Sequence, residues 1–232
     1  MTKRLRILGI ALVVIGLGFI SAGGFAFLKT SEGASSLQSF SAAQNVELSY
    51  NEDGQLVDRG ETAGAEAIMA LLTDEWGYPV VQGELDPNDP LVNTASEYMY
   101  QMATVTYHTL YGETTVVLTE DVEYNGEVFK AGEYEFVNDG RYWVDFDRMH
   151  PIEGAARAQI WSGTAHALIG ELGVGTVTAS ALQLGLALAG LFAGVGATFL
   201  FAGAGLVWAT RPETVRVAET KRVVAPALSP IK

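Results

Sequence analysis

Two long uncharged runs, one near each end of the chain, constrain its fold more than any other feature. The first, Ile7 to Leu28, has 22 residues without a charge. As a helix it would measure about 33 Å, close to the hydrocarbon core of a bilayer at about 30 Å. The second has 39 uncharged residues between Glu171 and Arg211; as one helix it would reach about 58 Å, so part of it lies outside the bilayer. The runs predict transmembrane helices at residues 7–28 and 185–210.

The distribution of charge predicts the orientation. Short flanks rich in Lys and Arg stay in the cytoplasm, so residues 1–6 and the basic tail 211–232 are expected to be cytoplasmic. The region between the spans has six basic and 25 acidic residues, a net charge of −19. We expect it to lie outside a bacterial plasma membrane. The flanking basic residues are Lys3, Arg4, Arg6, Arg211, Arg216, Lys221, Arg222 and Lys232.

Composition narrows the possible classes of protein and partner further. A signal peptide cleaved near Ser21 to Gly24 is the alternative for the first run, although signal cores are about 7 to 15 residues long. The chain has no cysteine, so it predicts neither disulfides nor a thiol nucleophile. Its net charge of −13 argues against nucleic-acid binding, because Lys and Arg side chains supply most of the affinity for the phosphate backbone. The expected partners are membrane lipid and other membrane protein subunits or a second copy of the chain.

The region from 29 to 150 has the pattern of an acidic α+β domain. Its first residues, to about Gln44, are rich in Ser, Ala and Gly and are interpreted as a stalk. Alternating residues around Asp53-Gly54 predict a hairpin, and helical spacing predicts a helix over residues 62–75. Thr94 and Glu97 have the spacing of a capping box, which predicts a helix from Ala95 to Tyr111.

From Thr114 to Phe146 the pattern changes to period two, with turn signals at Asn125-Gly126, Gly132 and Asp139-Gly140. This predicts a three- or four-stranded antiparallel β meander. Residues 151–184 are predicted to form a helix that leads into the membrane, with a kink near Gly170, Gly173 or Gly175. The predicted buried face of the meander consists of Val122, Tyr124, Val128, Tyr134, Phe136, Tyr142, Val144 and Phe146.

No motif for catalysis or metal binding is found in the sequence. His108, His150 and His166 are widely separated and form none of the usual zinc spacings. Asp86 to Glu97 resembles a calcium loop at three positions but has proline and leucine where an oxygen ligand and a glycine are needed. We therefore expect a non-enzymatic protein with no cofactor.

Small residues in the second run suggest a helix-packing surface. In lipid, helices associate where small residues let their backbones approach. The two spans packing on each other would explain one such row; two adjacent rows favour a further contact, to another copy or another protein. The predicted interface consists of Ala181, Gly185, Ala189, Ala193 and Ala197 in one row, with Gly190 and Gly194 in the second, which also includes Leu186, Thr198 and Ala202.

The stretch ETAGAEAIMALLTDEW, followed by GELDPNDPLVNTASEYMYQMA, resembles a group of uncharacterised actinobacterial membrane proteins with two spans and an extracytoplasmic middle. That resemblance implies the topology and the host lineage. Members are often labelled automatically as aromatic ring-opening dioxygenases, an activity that needs a defined iron ligand set, and this chain shows none. The strands predicted after Thr114 depart from the group.

Two functions from different classes are compatible with these patterns. The first is a structural or accessory subunit of a larger or self-assembled membrane complex that docks through its small-residue helices. The alternative is an extracytoplasmic binding module for a cation, a small ligand or an envelope component.

Overall fold

The computed structural model describes residues 2–211, in which two long helices carry the apolar runs. Helix α1 is Thr2–Gln44 and helix α5 is Gly163–Ala209. Both are long and apolar enough to cross a membrane. A small antiparallel sheet lies between them in the chain. The predicted basic tail after Arg211 lies outside the described residues.

The described chain divides into two compact units. The helical unit consists of residues 2–23 and 191–211, and the central unit is Gly24–Gly190. The central unit contains the end of α1, the beginning of α5 and every element between them.

The stalk predicted after the first span is helical. Helix α1 has 43 residues and continues to Gln44, although Gly and Ser lower helix propensity in this segment. Contacts with the domain stabilise it: the hydroxyls of Ser41 and Tyr98 lie 2.7 Å apart in a buried hydrogen bond. Leu37 packs against the core of the central unit. Composition predicted a stalk but did not predict its helical conformation, because composition contains no information about these contacts.

The segment after α1 forms isolated β-bridges instead of full strands. Tyr50 pairs with Leu56 around the predicted turn, where Gly54 has a φ of 74°. Helix α2, Thr62–Ala70, continues as one π-helical turn, Leu71–Glu75. Gly77 follows with a φ of 65°. Helices commonly end at a glycine in this left-handed conformation. The predicted helix over 62–75 is confirmed.

Helix α3, Ala95–Leu110, begins at the predicted capping box. The hydroxyl of Thr94 accepts from the amide of Glu97 at 3.4 Å. In return, the Glu97 carboxylate accepts from the amide of Thr94 at 2.8 Å and from that of Asn93 at 3.0 Å. These bonds satisfy amides that the helix itself leaves unpaired.

The predicted meander is wrong in its pairing. Strand β1 (Glu113–Leu118) pairs with β4 (Gly132–Val137), and β2 (Val122–Tyr124) pairs with β3 (Glu127–Phe129). The four strands are therefore two nested antiparallel ladders around the Asn125-Gly126 turn. Asp121 separates the ladders, because its carboxylate accepts from the Ala131 amide at 2.9 Å and from Lys130 at 2.7 Å.

The predicted last strand, around residues 140–146, is a series of turns. The Asp145 carboxylate accepts from the Tyr142 amide at 2.9 Å, and the Asp145 amide donates to the Tyr142 oxygen at 2.9 Å, so the chain forms a local turn here. Of the predicted buried face, only Phe146 is fully buried; Val144 is 75 % exposed. Val122, Tyr124, Tyr134 and Phe136 are partly buried, and Val128, Tyr142 and Val144 are exposed.

The connection to α5 breaks earlier than predicted. Helix α4 is Glu153–Ile160, and the chain leaves helical geometry at Trp161 before α5 begins. Helix α5 is uninterrupted at Gly170, Gly173 and Gly175. Gly175 has a different role there: a Cβ atom on it would lie 2.5 Å from the Tyr98 ring. Close packing, and not a break in the helix, requires glycine at this position.

Two buried clusters form the core of the central unit. The larger lies around α2 and α3 and includes Ile68, Leu72 and Ala103, each 0 % exposed. The smaller one joins Leu71 and Leu110 to Phe146 and Trp161. Burial of these side chains supplies the main drive for folding this unit.

Candidate helix-packing surface

In the helical unit, α1 and α5 approach through pairs of glycines. A Cβ atom on Gly203 would lie 2.5 Å from the carbonyl oxygen of Gly9, and one on Gly16 would lie 2.7 Å from the carbonyl oxygen of Gly196. Real Cβ atoms do not come so close to a backbone oxygen, so only glycine permits this separation. We call Gly9, Gly16, Gly196 and Gly203 the glycine seam.

The seam follows a seven-residue spacing that the sequence interpretation missed. Gly9 and Gly16 are seven apart, as are Gly196 and Gly203, and all four are buried. Seven residues return a helix to nearly the same face, with a drift of about 20°, which is the spacing of left-handed helix pairs. Gly23 and Ala189 are also buried at this spacing. Comparing the glycine intervals in the two runs could have revealed this pattern.

A second contact between the two helices lies in the central unit. A Cβ atom on Gly185 would lie 2.5 Å from the Thr30 hydroxyl, and one on Gly33 would lie 2.7 Å from the Leu182 side chain. The predicted span ends, Leu28 and Gly185, therefore lie at nearly the same level along the helix pair. A single bilayer edge near this level, which remains a prediction, would meet both.

The predicted interface residues fall on several sides of α5. Ala189 is 4 % exposed; Gly185 and Ala197 are partly buried, whereas Ala181 and Ala193 are exposed. Gly190 and Gly194 are exposed with no atom of another segment near enough to meet a Cβ. Residues four apart drift by about 40° per step, so the row from Ala181 to Ala197 winds around the helix and cannot mark one surface.

A different row of exposed residues runs along α5. We call it the outer row: Val177, Leu184, Leu191, Thr198 and Gly205, seven residues apart and all exposed. Lipid would cover its members inside the predicted span. Val177 is 69 % exposed and its neighbour Val174 is 67 % exposed, and both precede the predicted span. Exposed apolar side chains that extend a membrane helix into water indicate an interaction surface when they form a contiguous patch.

The central unit also contains a small cavity among the end of α1, α3 and the beginning of α5. Its volume is about 120 Å³. Val105 and Leu172 contribute apolar surface, and the polar groups of Gln101 and Glu171 line it as well. Tyr98 and Ser41, hydrogen-bonded to each other, complete one wall. Such a space is large enough for a small apolar group.

A polar cluster is buried beside α3. Nε2 of His108 lies 2.9 Å from the Asp58 carboxylate. The hydroxyls of Tyr50 and Tyr100 are buried and have no hydrogen-bond partner among the described residues. Burial, with the negative charges of Glu97 and Asp86, raises the pKa of Tyr50 to about 12. Burial likewise raises the pKa of Tyr100, so both hydroxyls stay protonated at neutral pH.

The three histidines have separate surroundings. His108 pairs with Asp58, His150 packs against Phe129 at 4.8 Å, and His166 packs against Trp143 at 4.9 Å between ring centres. Within residues 2–211, no three His, Asp or Glu side chains are grouped so that they could hold a metal ion.

Comparison with models of protein families, with curated protein sequences and with solved structures gives no match to this chain. The resemblance to the actinobacterial two-span proteins remains a prediction. The arguments on function therefore depend on the surfaces and side chains of the chain itself.

Proposed function

We propose that the protein is a non-enzymatic accessory subunit that packs against other membrane helices, or against its own copies, through the outer row of α5. The exposure of Val174 and Val177 is the observation that carries this proposal. In water, covering two side chains that are about two-thirds exposed is favourable. A partner helix that continues above the bilayer would cover them, whereas lipid would not reach them.

The glycine seam supports the same proposal by elimination. Helix α1 occupies the seam side of α5 in the helical unit, with Gly9 against Gly203. Leu191 and Phe201, 58 % and 79 % exposed, lie away from this contact and are free to meet lipid or a second helix. Nearby, Gly194 is exposed and would let a second helix approach closely, because glycine adds no side-chain bulk.

The test replaces Val174 and Val177 together by Ser in the tagged full chain. The protein is extracted gently from its native membrane, and native mass spectrometry measures its mass and any accompanying chains. We expect the variant to lose stoichiometric partners, or its own second copy. The matched control is Val117→Ser plus Val137→Ser, which changes two valines that are 58 % and 55 % exposed on the sheet and should leave association intact.

Association that is equal in both double variants and the wild type would contradict the proposed surface. Replacing Ala189 by Leu is a poorer test, because Ala189 is 4 % exposed and the larger side chain would disturb the chain's own packing. Ala193 and Gly194 are exposed, so Leu at either position tests association within the span.

The small cavity favours a second function, an extracytoplasmic binding module for a small ligand. Its mixed lining would suit an apolar group that carries one hydrogen-bonding end near Gln101 and Glu171. Val105→Trp would fill the space. A ligand that raises the thermal unfolding temperature of the wild type but not of this variant would support the function; a screen without any such ligand would count against it.

A further inference from the structure

Arg157, on helix α4, is a buried cation without an acidic partner. It is 8 % exposed, and it forms none of the ion pairs found within residues 2–211. The predicted extracytoplasmic region contains 25 acidic residues. The lack of a carboxylate partner for Arg157 is therefore not due to a shortage of acidic residues. Most of the Arg157 side chain is enclosed, and no carboxylate within residues 2–211 is paired with its charge.

One side of the Arg157 guanidinium is held in place. Its Nε donates to the backbone oxygen of Trp143 at 2.9 Å, and its Cζ lies 3.0 Å from the centre of the Trp143 ring. The two terminal nitrogens are not among the buried side-chain atoms without a partner, so they reach solvent, and they donate to no group in the described part of the chain. The planar fork that binds carboxylates and phosphates with two parallel hydrogen bonds is thus oriented but unused.

The acidic residue one helical turn before Arg157 already has other partners. Glu153 precedes Arg157 by one helical turn on α4, the spacing of an ordinary helical ion pair. Its carboxylate instead accepts from Arg141 at 3.1 Å and from the Asp147 amide at 3.1 Å. The ion pair with Arg141 therefore leaves Arg157 without an acidic partner.

A second arginine, Arg148, precedes helix α4. Helix α4 begins against Arg148, where a Cβ atom on Gly154 would lie 2.5 Å from the Arg148 backbone oxygen. Burial lowers the pKa of Arg157, and the like charge of Arg148 lowers it further. Arg148 is exposed and also forms none of the ion pairs within residues 2–211. Because the charge of Arg148 acts on Arg157, this part of an acidic domain has two unpaired positive charges, which favours a bound anion.

We propose that Arg157 and Arg148 bind a small soluble oxyanion, a phosphate or a carboxylate. The terminal nitrogens of Arg157 donate to two of its oxygens, the Trp143 ring fixes the guanidinium plane, and Arg148 adds charge from the solvent side. Residues 163–184 of α5 separate this site from the predicted span, a helical length of about 33 Å. A soluble anion is favoured over a lipid headgroup for that reason.

The experiment titrates inorganic phosphate into the full chain in detergent micelles, in a chloride-free buffer of low ionic strength, and measures heat by isothermal calorimetry. We expect saturable binding that weakens at least tenfold in Arg157→Gln and about threefold in Arg148→Gln. The control is Arg59→Asn, which removes an exposed arginine whose φ of 51° suits asparagine. This variant should bind like the wild type.

Absence of saturable heat in the wild type, or equal affinity in wild type and Arg157→Gln, would overturn the proposal. If Arg157→Gln does not fold, Arg148→Gln decides, and an unchanged affinity there would overturn the two-arginine site. A second arm uses nanodiscs with and without phosphatidylglycerol. If the protein binds phosphatidylglycerol nanodiscs but shows no binding of inorganic phosphate, the two arginines bind a lipid headgroup. That result would reject the soluble anion.

Discussion

Glycines in two regions of the same helix, α5, have opposite surroundings. Gly196 and Gly203 are buried against the backbone of α1, whereas Gly194 and Gly205 are exposed, and no atom within residues 2–211 is near enough to meet a Cβ on either. The residue type is the same, and only its position on the seven-residue repeat differs. A small residue in a long apolar helix therefore permits close approach of another segment but does not show that such an approach occurs.

The seam has a definite physical basis. Without side chains between them, the two backbones gain dispersion contacts and allow Cα–H groups to approach carbonyl oxygens. Phe19 of α1 packs beside the seam, with ring centres 5.9 Å from Phe192 and 6.0 Å from Phe199. The glycines set the distance between the helices, and the aromatic rings fill the space at the side.

The largest effect is expected for Gly203→Leu. The new side chain would meet the backbone of Gly9, which cannot rotate away, so the helices must separate and lose the seam. Overpacking of this kind costs about 1–3 kcal/mol or more. The free energy of unfolding in a mixed-micelle denaturant titration measures it.

The matched control for that variant is Gly205→Leu, two residues later on the exposed side. It adds the same side chain to the same helix, and no other segment of the described chain lies in its way. Equal destabilisation by the two variants would contradict the seam and indicate a general effect of leucine on this part of α5.

Local patterns in the sequence were sufficient for the elements that depend on neighbours in the chain. The capping box of Thr94 and Glu97 and the Asn125-Gly126 turn were both predicted, because the groups that interact lie within a few residues. Both apolar helices were also predicted, since length and absence of charge decide them.

Contacts between distant segments were not predictable in the same way. The seam pairs Gly9 with Gly203. The sequence interpretation considered a four-residue spacing within the second run and therefore placed the packing surface on other residues. The pairing of β1 with β4, with Asp121 accepting from the Ala131 amide between the two ladders, cannot be read from period-two alternation. The unpaired Arg157 was overlooked because the sequence showed only its surplus of carboxylates.

A smaller effect is expected for Glu84→Gln, which tests a polar contact to α5 in the central unit. Its carboxylate accepts from Gln183 of α5 and, at 2.8 Å, from the Ser96 amide. Burial tends to raise the pKa of Glu84, but hydrogen bonds from Ser96, Gln183 and Thr94 outweigh it and lower that pKa below the ordinary value. Loss of the charged acceptor should cost about 1 kcal/mol at pH 7.

The lowered pKa also predicts how this difference depends on pH. A carboxyl whose pKa falls on folding stabilises the protein above its unfolded pKa of about 4.3, and that contribution disappears as pH falls through the folded value. The gap in unfolding temperature between wild type and Glu84→Gln should therefore be full at pH 7 and shrink below about pH 4. A gap that stays constant or widens in acid would contradict the assigned bonds.

Gly185→Ala should have a still smaller effect, because its contact is with a side chain. A Cβ atom there would lie 2.5 Å from the Thr30 hydroxyl, which can turn away by rotation about χ1. We expect a loss below about 1 kcal/mol and recovery in the double variant with Thr30→Ser, which removes the methyl group and eases that rotation. Chemical denaturation of the four proteins of this cycle measures the coupling. Additive losses would mean that the two residues do not touch.

The smallest effect, and one of opposite sign, is expected for Gly194→Ala. No atom of another segment would meet the added methyl group, and alanine favours a helix over glycine by about 0.5–1 kcal/mol in water-soluble hosts. As a purified protein, the variant should unfold at the same or a slightly higher denaturant concentration than the wild type. Gly196→Ala, two residues away on the seam, should unfold at a lower one. A destabilised Gly194→Ala protein would show that this exposed side of α5 already has a neighbour in the purified protein, and repeating the titration over a range of protein concentrations would identify a second copy as that neighbour.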